Sequence, residues 1–154
     1  MESRKVESLK IAGVKIESKI GKAAYSDREI YAFISDFNNF RELIPSDRVS
    51  QWESTAEQCS FQVDPLGRTG LQIIEKTPSF LVKMASLPSY SNHQFTIWIQ
   101  LKSLGEKDTR IRITIEPQVN KMLIPMIKGP LKKFVDGLID KIETFDFTGR
   151  SFKD

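Results

Sequence analysis

His93 is the only histidine and Cys59 the only cysteine in the chain, so acid–base, nucleophilic or metal chemistry would have to be built from very few groups. His93 stands in Ser91-Asn92-His93-Gln94, just ahead of an alternating stretch. A catalytic triad would need a nucleophile beside it and an acid to orient it, and no nucleophile elbow is present. A general base facing a cavity and a solvated loop histidine both fit this position. A metal site would have to be completed by carboxylates alone, so neither a metal nor a cofactor is expected. Cys59 lies in the apolar phase of its segment, which predicts a buried structural thiol rather than a reactive one. Asp27, Glu29, Asp36 and Glu42 are explained by helix capping and solvation, and Glu75 and Glu116 by the polar phase of strands. No pair of carboxylates has a spacing that argues for acid–base work, and no catalytic residue is assigned.

The elements that would carry these residues follow from periodicity. Residues 14–20 alternate, with Val14, Ile16, Ser18 and Ile20 on one face, which predicts a half-buried strand. Ser26 and Glu29 form the capping box of a helix, with Tyr25 and Ile30 placed as its hydrophobic staple. Ile30, Phe33, Ile34 and Phe37 share one helical face. Asn38-Asn39 break the pattern, and a second short helix over 40–44 ends before Pro45. Strands are predicted over 49–53, 58–63, 69–76, 80–86, 94–102 and 110–116. They are joined by short turns such as Asp64-Pro65-Leu66-Gly67, the pattern of an antiparallel meander. Ile127, Leu131, Phe134, Val135, Leu138, Ile139, Ile142 and Phe145 then recur at helical steps. Pro130 predicts a kink or a start in that helix. Gly137 marks either a close backbone approach or a tolerated surface glycine.

Length and composition allow one folded domain. The chain has 154 residues, 40% hydrophobic and 28% charged, with a net charge of +3. Its bases are interleaved with acids, without the dense basic stripe of a nucleic-acid binder, so no nucleic-acid partner is expected. A single cysteine excludes an intramolecular disulfide. The polar start MESRKVESLK lacks the apolar run of a signal peptide. No stretch approaches the roughly 18 apolar residues of a membrane span, and a cytoplasmic location is expected. The domain is placed at residues 13–146, between a flexible arm at 1–12 and a tail at 147–154.

The order strand, two short helices, meander, long helix resembles the SRPBCC (START-like, helix-grip) superfamily over about residues 13–146. VKIESKIGKAAYSDREIYAFISDFNNFRELIP is similar to its opening strand and paired helices, VSQWESTAEQCSF to its second and third strands, and PMIKGPLKKFVDGLIDKIETF to its closing helix. The segments around Trp52, Cys59 and Pro130 are similar to those of a small group of bacterial members. The resemblance implies an α+β fold, a curved antiparallel sheet of six to seven strands around a long C-terminal helix, with a cavity between them. Members bind lipids, sterols, quinones or plant hormones, and some act as polyketide cyclases or chaperone activators. None of the matching segments is a catalytic motif, and no cyclase residue or clustered iron–sulfur ligand set carries over.

Geometry names the residues that would line such a cavity. From the first helix these are Phe33 and Phe37. From the strands they are Phe61, Ile73, Phe95, Ile97, Ile113 and Ile115, and from the closing helix Met126, Ile127, Leu131, Phe134 and Leu138. A solid core would use the same residues.

Three readings follow: a binding or transport module for a hydrophobic small molecule (lipid, quinone or polyketide-like), a polyketide cyclase-like enzyme, or a protein-interaction module of chaperone type without ligand. The enzyme reading requires His93, Tyr90 or Arg68 to point into the cavity. Trp98 lies in the opposite phase from Ile97 and Ile99, on a face that the N-terminal arm or a second copy in a homodimer would cover. Lys121, Lys128, Lys132 and Lys133 surround the apolar segment Met122–Met126. That edge suits either transient contact with an anionic membrane or ordinary solvation.

Overall fold

A computed structural model of the chain describes residues 11–44, 49–63, 67–89 and 94–148. One antiparallel sheet dominates it. β4 (Val49–Ser54), β5 (Gln58–Val63), β6 (Gly67–Thr77), β7 (Leu81–Ser86), β8 (Gln94–Gly105) and β9 (Asp108–Asn120) follow one another as a meander. Three short pieces, β1 (Ile11–Gly13), β2 (Ile16–Glu17) and β3 (Gly21–Ala23), run along the far side of β9. The opening strand expected over 14–20 is therefore broken. Ser18 causes part of this break, because its Oγ accepts the Ile113 N–H at 2.9 Å while its own N–H donates to the Ile113 carbonyl at 2.8 Å. Ile16 and Ser18 remain buried, but Ile20 turns outward and is 57% exposed.

The first helix, α1 (Asp27–Ile34), begins with the capping box formed in both directions. The Glu29 N–H donates to Ser26 Oγ at 3.1 Å, and the Ser26 N–H donates to Glu29 Oε1 at 3.1 Å. α2 (Phe37–Phe40) starts earlier than the expected helix at residue 40, because the Asp36 carboxylate caps it by accepting the Asn38 N–H at 2.8 Å. Asn38-Asn39 thus lie inside this helix, and a 3₁₀ turn over Arg41–Leu43 follows.

The last helix, α3 (Ile124–Thr144), runs through Pro130 without interruption. The proline N has no hydrogen for the Met126 carbonyl, so this turn is weaker than its neighbours. α3 packs against β2, β3 and β9. Its carboxylates complete the broken opening strand: Asp136 accepts the Lys19 N–H at 2.7 Å and Glu143 accepts the Lys22 N–H at 2.9 Å. Backbone donors left free by the break thereby find partners. Lys19 also pairs with Asp140, and this hydrogen bond is the main cause that raises the lysine's pKa.

The close backbone approach lies at Gly21, not Gly137. A Cβ on Gly21 would sit 2.7 Å from Ile139 Cγ2, whereas a Cβ on Gly137 would meet nothing within 4 Å. The core follows the inner face of the sheet, and Val82, Ile99 and Ile113 in its middle are fully buried. Each such side chain contributes about 1.5–3 kcal/mol of transfer free energy. It extends to Phe147, which is fully buried against Phe33, Phe145 and Tyr25.

A half-open apolar trough

The strand register sorts the inner-face residues into rungs. Ile97 pairs with Ile115 and Met84, Ile99 with Ile113 and Val82, and Leu101 with Ile111. Leu71 pairs with Cys59 and Ser86, and Phe61 with Thr69. Exposure rises along this series. It is 0% at Val82, Ile99 and Ile113, then 5–7% at Ile97, Ile115 and Leu71. Phe61, Ile73 and Phe95 are only half-buried, Ile73 in the same rung as Met84 and Ile97 and Phe95 level with Leu71.

Helix α3 shows the same gradient. Val135, Leu138, Ile139 and Ile142 in its C-terminal half are at most 4% exposed. Ile127, Leu131 and Phe134 in its N-terminal half are half-buried, and Met126 is 72% exposed. The glycine and proline at 129–130 fall in this looser half. Half-buried apolar side chains are thus carried by both elements, Phe61, Ile73 and Phe95 on the sheet and Leu131 and Phe134 on the helix, and this half-covered apolar end is the candidate trough.

The thirteen residues expected to line a cavity thus separate. Phe33, Phe37, Ile97, Ile113, Ile115 and Leu138 are buried in packed core. Phe61, Ile73, Phe95, Ile127, Leu131 and Phe134 are half-buried, and Met126 projects into solvent. A surface groove of about 400 Å³ lies elsewhere, bounded by Ile20, Phe80 and Leu104 beside Gln100, Lys102 and Arg112. None of the thirteen lines it.

Trp52, on the edge strand β4, belongs to the trough although periodicity did not select it. The β4–β5 ladder shifts register between Ser50 and Glu53, so Gln51 and Trp52 together face Phe61. Such a bulge re-aims a side chain. Gln51 takes φ 53°, a left-handed conformation that costs a residue with a Cβ about 1–2 kcal/mol. Arg68 holds the bulge. Its Nη1 donates to the Gln51 carbonyl at 3.1 Å, its Nη2 donates to Ser60 Oγ at 2.8 Å, and Glu53 lies 3.6 Å away. The consequence is a nearly parallel stack of Trp52 on Phe61, with centroids 5.3 Å apart and planes inclined by 12°. The Trp52 indole N–H is buried and has no hydrogen-bond partner among the described residues.

Among the described residues, the polar groups near the trough do not form a catalytic set. Arg68 pairs opposite Gln62, on the face away from Phe61, and serves the bulge. His93 and Tyr90 lie outside the described residues. Cys59 is 3% exposed, and burial pushes its thiol up to about 12. It is therefore protonated and unreactive at neutral pH. No group of three or more His, Cys, Asp or Glu among the described residues could hold a metal ion. On the outer face, Trp98 lies beneath two cations, Lys15 at 5.1 Å and Lys83 at 5.4 Å from its ring centroid.

No protein-family profile and no curated protein sequence matches the chain. Solved structures do match in fold. A START superfamily protein from Mycobacterium smegmatis superposes with a TM-score of 0.67 at 14% identity, covering 84% of this chain and 94% of that one. This chain has the START-like helix-grip fold. Norcoclaurine synthase from Thalictrum flavum, in complex with dopamine and hydroxybenzaldehyde, gives a TM-score of 0.63 at 13% identity, covering 92% of this chain and 93% of that one. A conserved protein from Geobacillus kaustophilus gives 0.65 at 11% identity, covering 84% and 93%. At these identities the likeness carries architecture and not activity. The helix-grip fold holds a long helix against a curved sheet, which is the arrangement that frames the trough. No helix among the described residues is long and apolar enough to cross a membrane.

Proposed function

We propose that this protein binds and carries a hydrophobic small molecule (a lipid, a quinone or a polyketide-like compound) in the trough between the inner sheet face and the N-terminal half of α3. The observation that carries this reading is the exposure gradient. A core needs Phe61, Phe95, Leu131 and Phe134 sealed, yet they are half-buried beside rungs that are fully buried. Covering them with a ligand would return about 25 cal/mol for each Å² of apolar surface removed from water. That a norcoclaurine synthase of the same fold is found in complex with dopamine and hydroxybenzaldehyde supports a small-molecule ligand for this fold. Of the groups the cyclase-like alternative requires, Arg68 is engaged by Gln51 and Ser60 on the bulge.

Exchange with a membrane is part of the same reading. Met122, Leu123 and Met126 are 83%, 43% and 72% exposed, beside Lys121 and Lys128 at the start of α3. An apolar tip with flanking cations suits the surface of an anionic bilayer. The interaction-module alternative rests instead on the outer groove, where Ile20, Phe80 and Leu104 are each more than half exposed.

Native mass spectrometry of freshly purified protein, followed by extraction, tests the proposal. A reproducible apolar adduct, lost in Leu131→Trp and retained in Leu104→Ser, is the expected result. Clean apo mass in every preparation, together with no uptake from a panel of fatty acid, phospholipid and short-chain ubiquinone, would overturn it in favour of the interaction reading.

A further inference from the structure

Two unfavourable features meet at adjacent residues on the rim of the trough. Gln51 holds a left-handed backbone, and the indole N–H of Trp52 is buried without a partner. Buried donors are nearly always paired, and an unpaired one calls for an explanation. Backbone strain persists only where its surroundings hold it in place, and here Arg68 does so through Gln51 and Ser60. A plain edge strand would need neither the strain nor the clamp. Their joint effect is to lay Trp52 on Phe61 and to leave one neutral donor enclosed and unpaired beside that stack.

We infer that Trp52 is the polar anchor of the trough: its indole N–H donates a hydrogen bond to an acceptor oxygen carried by an otherwise apolar ligand. This rests on the trough being the ligand site. An indole N–H is a donor only, so it selects a carbonyl, ester, quinone or ether oxygen, and a bare hydrocarbon leaves it unpaired. The stack on Phe61 favours a flat, unsaturated group beside that oxygen. The residue is half-buried while its N–H is enclosed, so the ring must turn on its stack to meet the acceptor. Small-molecule sites commonly combine an apolar lining with a few placed polar groups of this kind.

The test uses two matched probes, 1-acetylnaphthalene with a carbonyl and 1-ethylnaphthalene without one, titrated into wild type and Trp52→Phe and followed by amide NMR. Trp52→Phe keeps an aromatic ring on Phe61 and removes the N–H together with the pyrrole half of the indole. Wild type is expected to bind the ketone about tenfold more tightly than the hydrocarbon, a difference of about 1.4 kcal/mol. In Trp52→Phe that preference should vanish, with ketone and hydrocarbon binding equally tightly to one another; any change in hydrocarbon affinity measures the lost ring area and not the N–H. The wild-type spectrum provides a second readout, independent of whether the variant folds. With only two tryptophans, the Trp52 indole proton should move downfield with the ketone and not with the hydrocarbon, while Trp98 stays still. Equal binding of both probes, or a ketone preference that survives in Trp52→Phe, would overturn the anchor and leave the trough intact. Binding of neither probe at the trough would overturn both.

Discussion

Phe33 and Phe61 are both inward-facing phenylalanines of one core, yet they sit in very different surroundings. Phe33 is 1% exposed, enclosed by Phe145 at 4.8 Å and Phe147 at 5.2 Å. α1 and the C-terminal half of α3 cover that end of the sheet, and Gly21 admits Ile139 to near contact with the backbone. Phe61 has Trp52 on one side and is half-buried. Both ends are built from apolar side chains, so hydrophobicity does not distinguish them. Coverage does: one end is sealed for stability, and the other is left open at a cost in burial that a bound ligand would offset.

Four measurements break or sharpen this contrast. The largest effect is expected for truncations. Phe33→Ala should cost about 3–5 kcal/mol in urea unfolding, whereas Phe134→Ala on the trough wall should cost about 1–2 kcal/mol because less surface is buried there. Equal losses would mean that the two ends are packed alike.

Gly21→Ala comes next. The new methyl must displace Ile139, and a loss of about 1–3 kcal/mol is expected from overpacking; an unchanged midpoint would show that the sealed end yields easily.

Cys59 marks the border between the two ends. Its thiol titrates near 9.0 when unfolded and at about 12 when folded. Below pH 9 both forms are protonated and stability does not change. Above it the unfolded chain ionises first, so stability falls as pH rises towards 12. Between pH 8 and 10 the loss should be about 1 kcal/mol and absent in Cys59→Ala. Rapid thiol labelling of native protein at pH 8 would instead show water reaching past Phe61.

The smallest effect is Gly137→Ala, a gain of up to about 1 kcal/mol on an open helix face. A loss in thermal melting would reveal a neighbour at that position.

Much of this architecture is legible in the sequence because its signals are local. The Ser26–Glu29 box, the alternation of residues 94–102 and the heptad-like recurrence from Leu131 to Ile142 each depend on near neighbours alone. The breaks were harder to read. Ser18 resembles any polar strand residue until its Oγ is seen to take the Ile113 N–H. Asp36, a strong cap, was outweighed by the more conspicuous Asn38-Asn39. Gly137 drew attention because it sits mid-helix, while Gly21, whose crowding depends on a helix more than 100 residues away, carried no local signal.

The trough could be named only as a set of inward residues. Periodicity gives the face of a side chain and not how completely a distant helix covers it, so Phe33 and Phe61 read alike. Trp52 was missed for a different reason. A left-handed glutamine has no sequence signature, and the bulge it creates reverses the phase from which inward residues are counted.

Amide and methyl NMR titration of the wild-type protein with a fatty acid, a short-chain ubiquinone and a naphthyl ketone tests the central claim most directly. Saturable shifts confined to Phe61, Ile73, Phe95, Leu131 and Phe134, with Phe33 and Val82 unmoved, are the predicted result. Shifts centred on Ile20, Phe80 and Leu104, or no saturable shifts with any of the three, would contradict it.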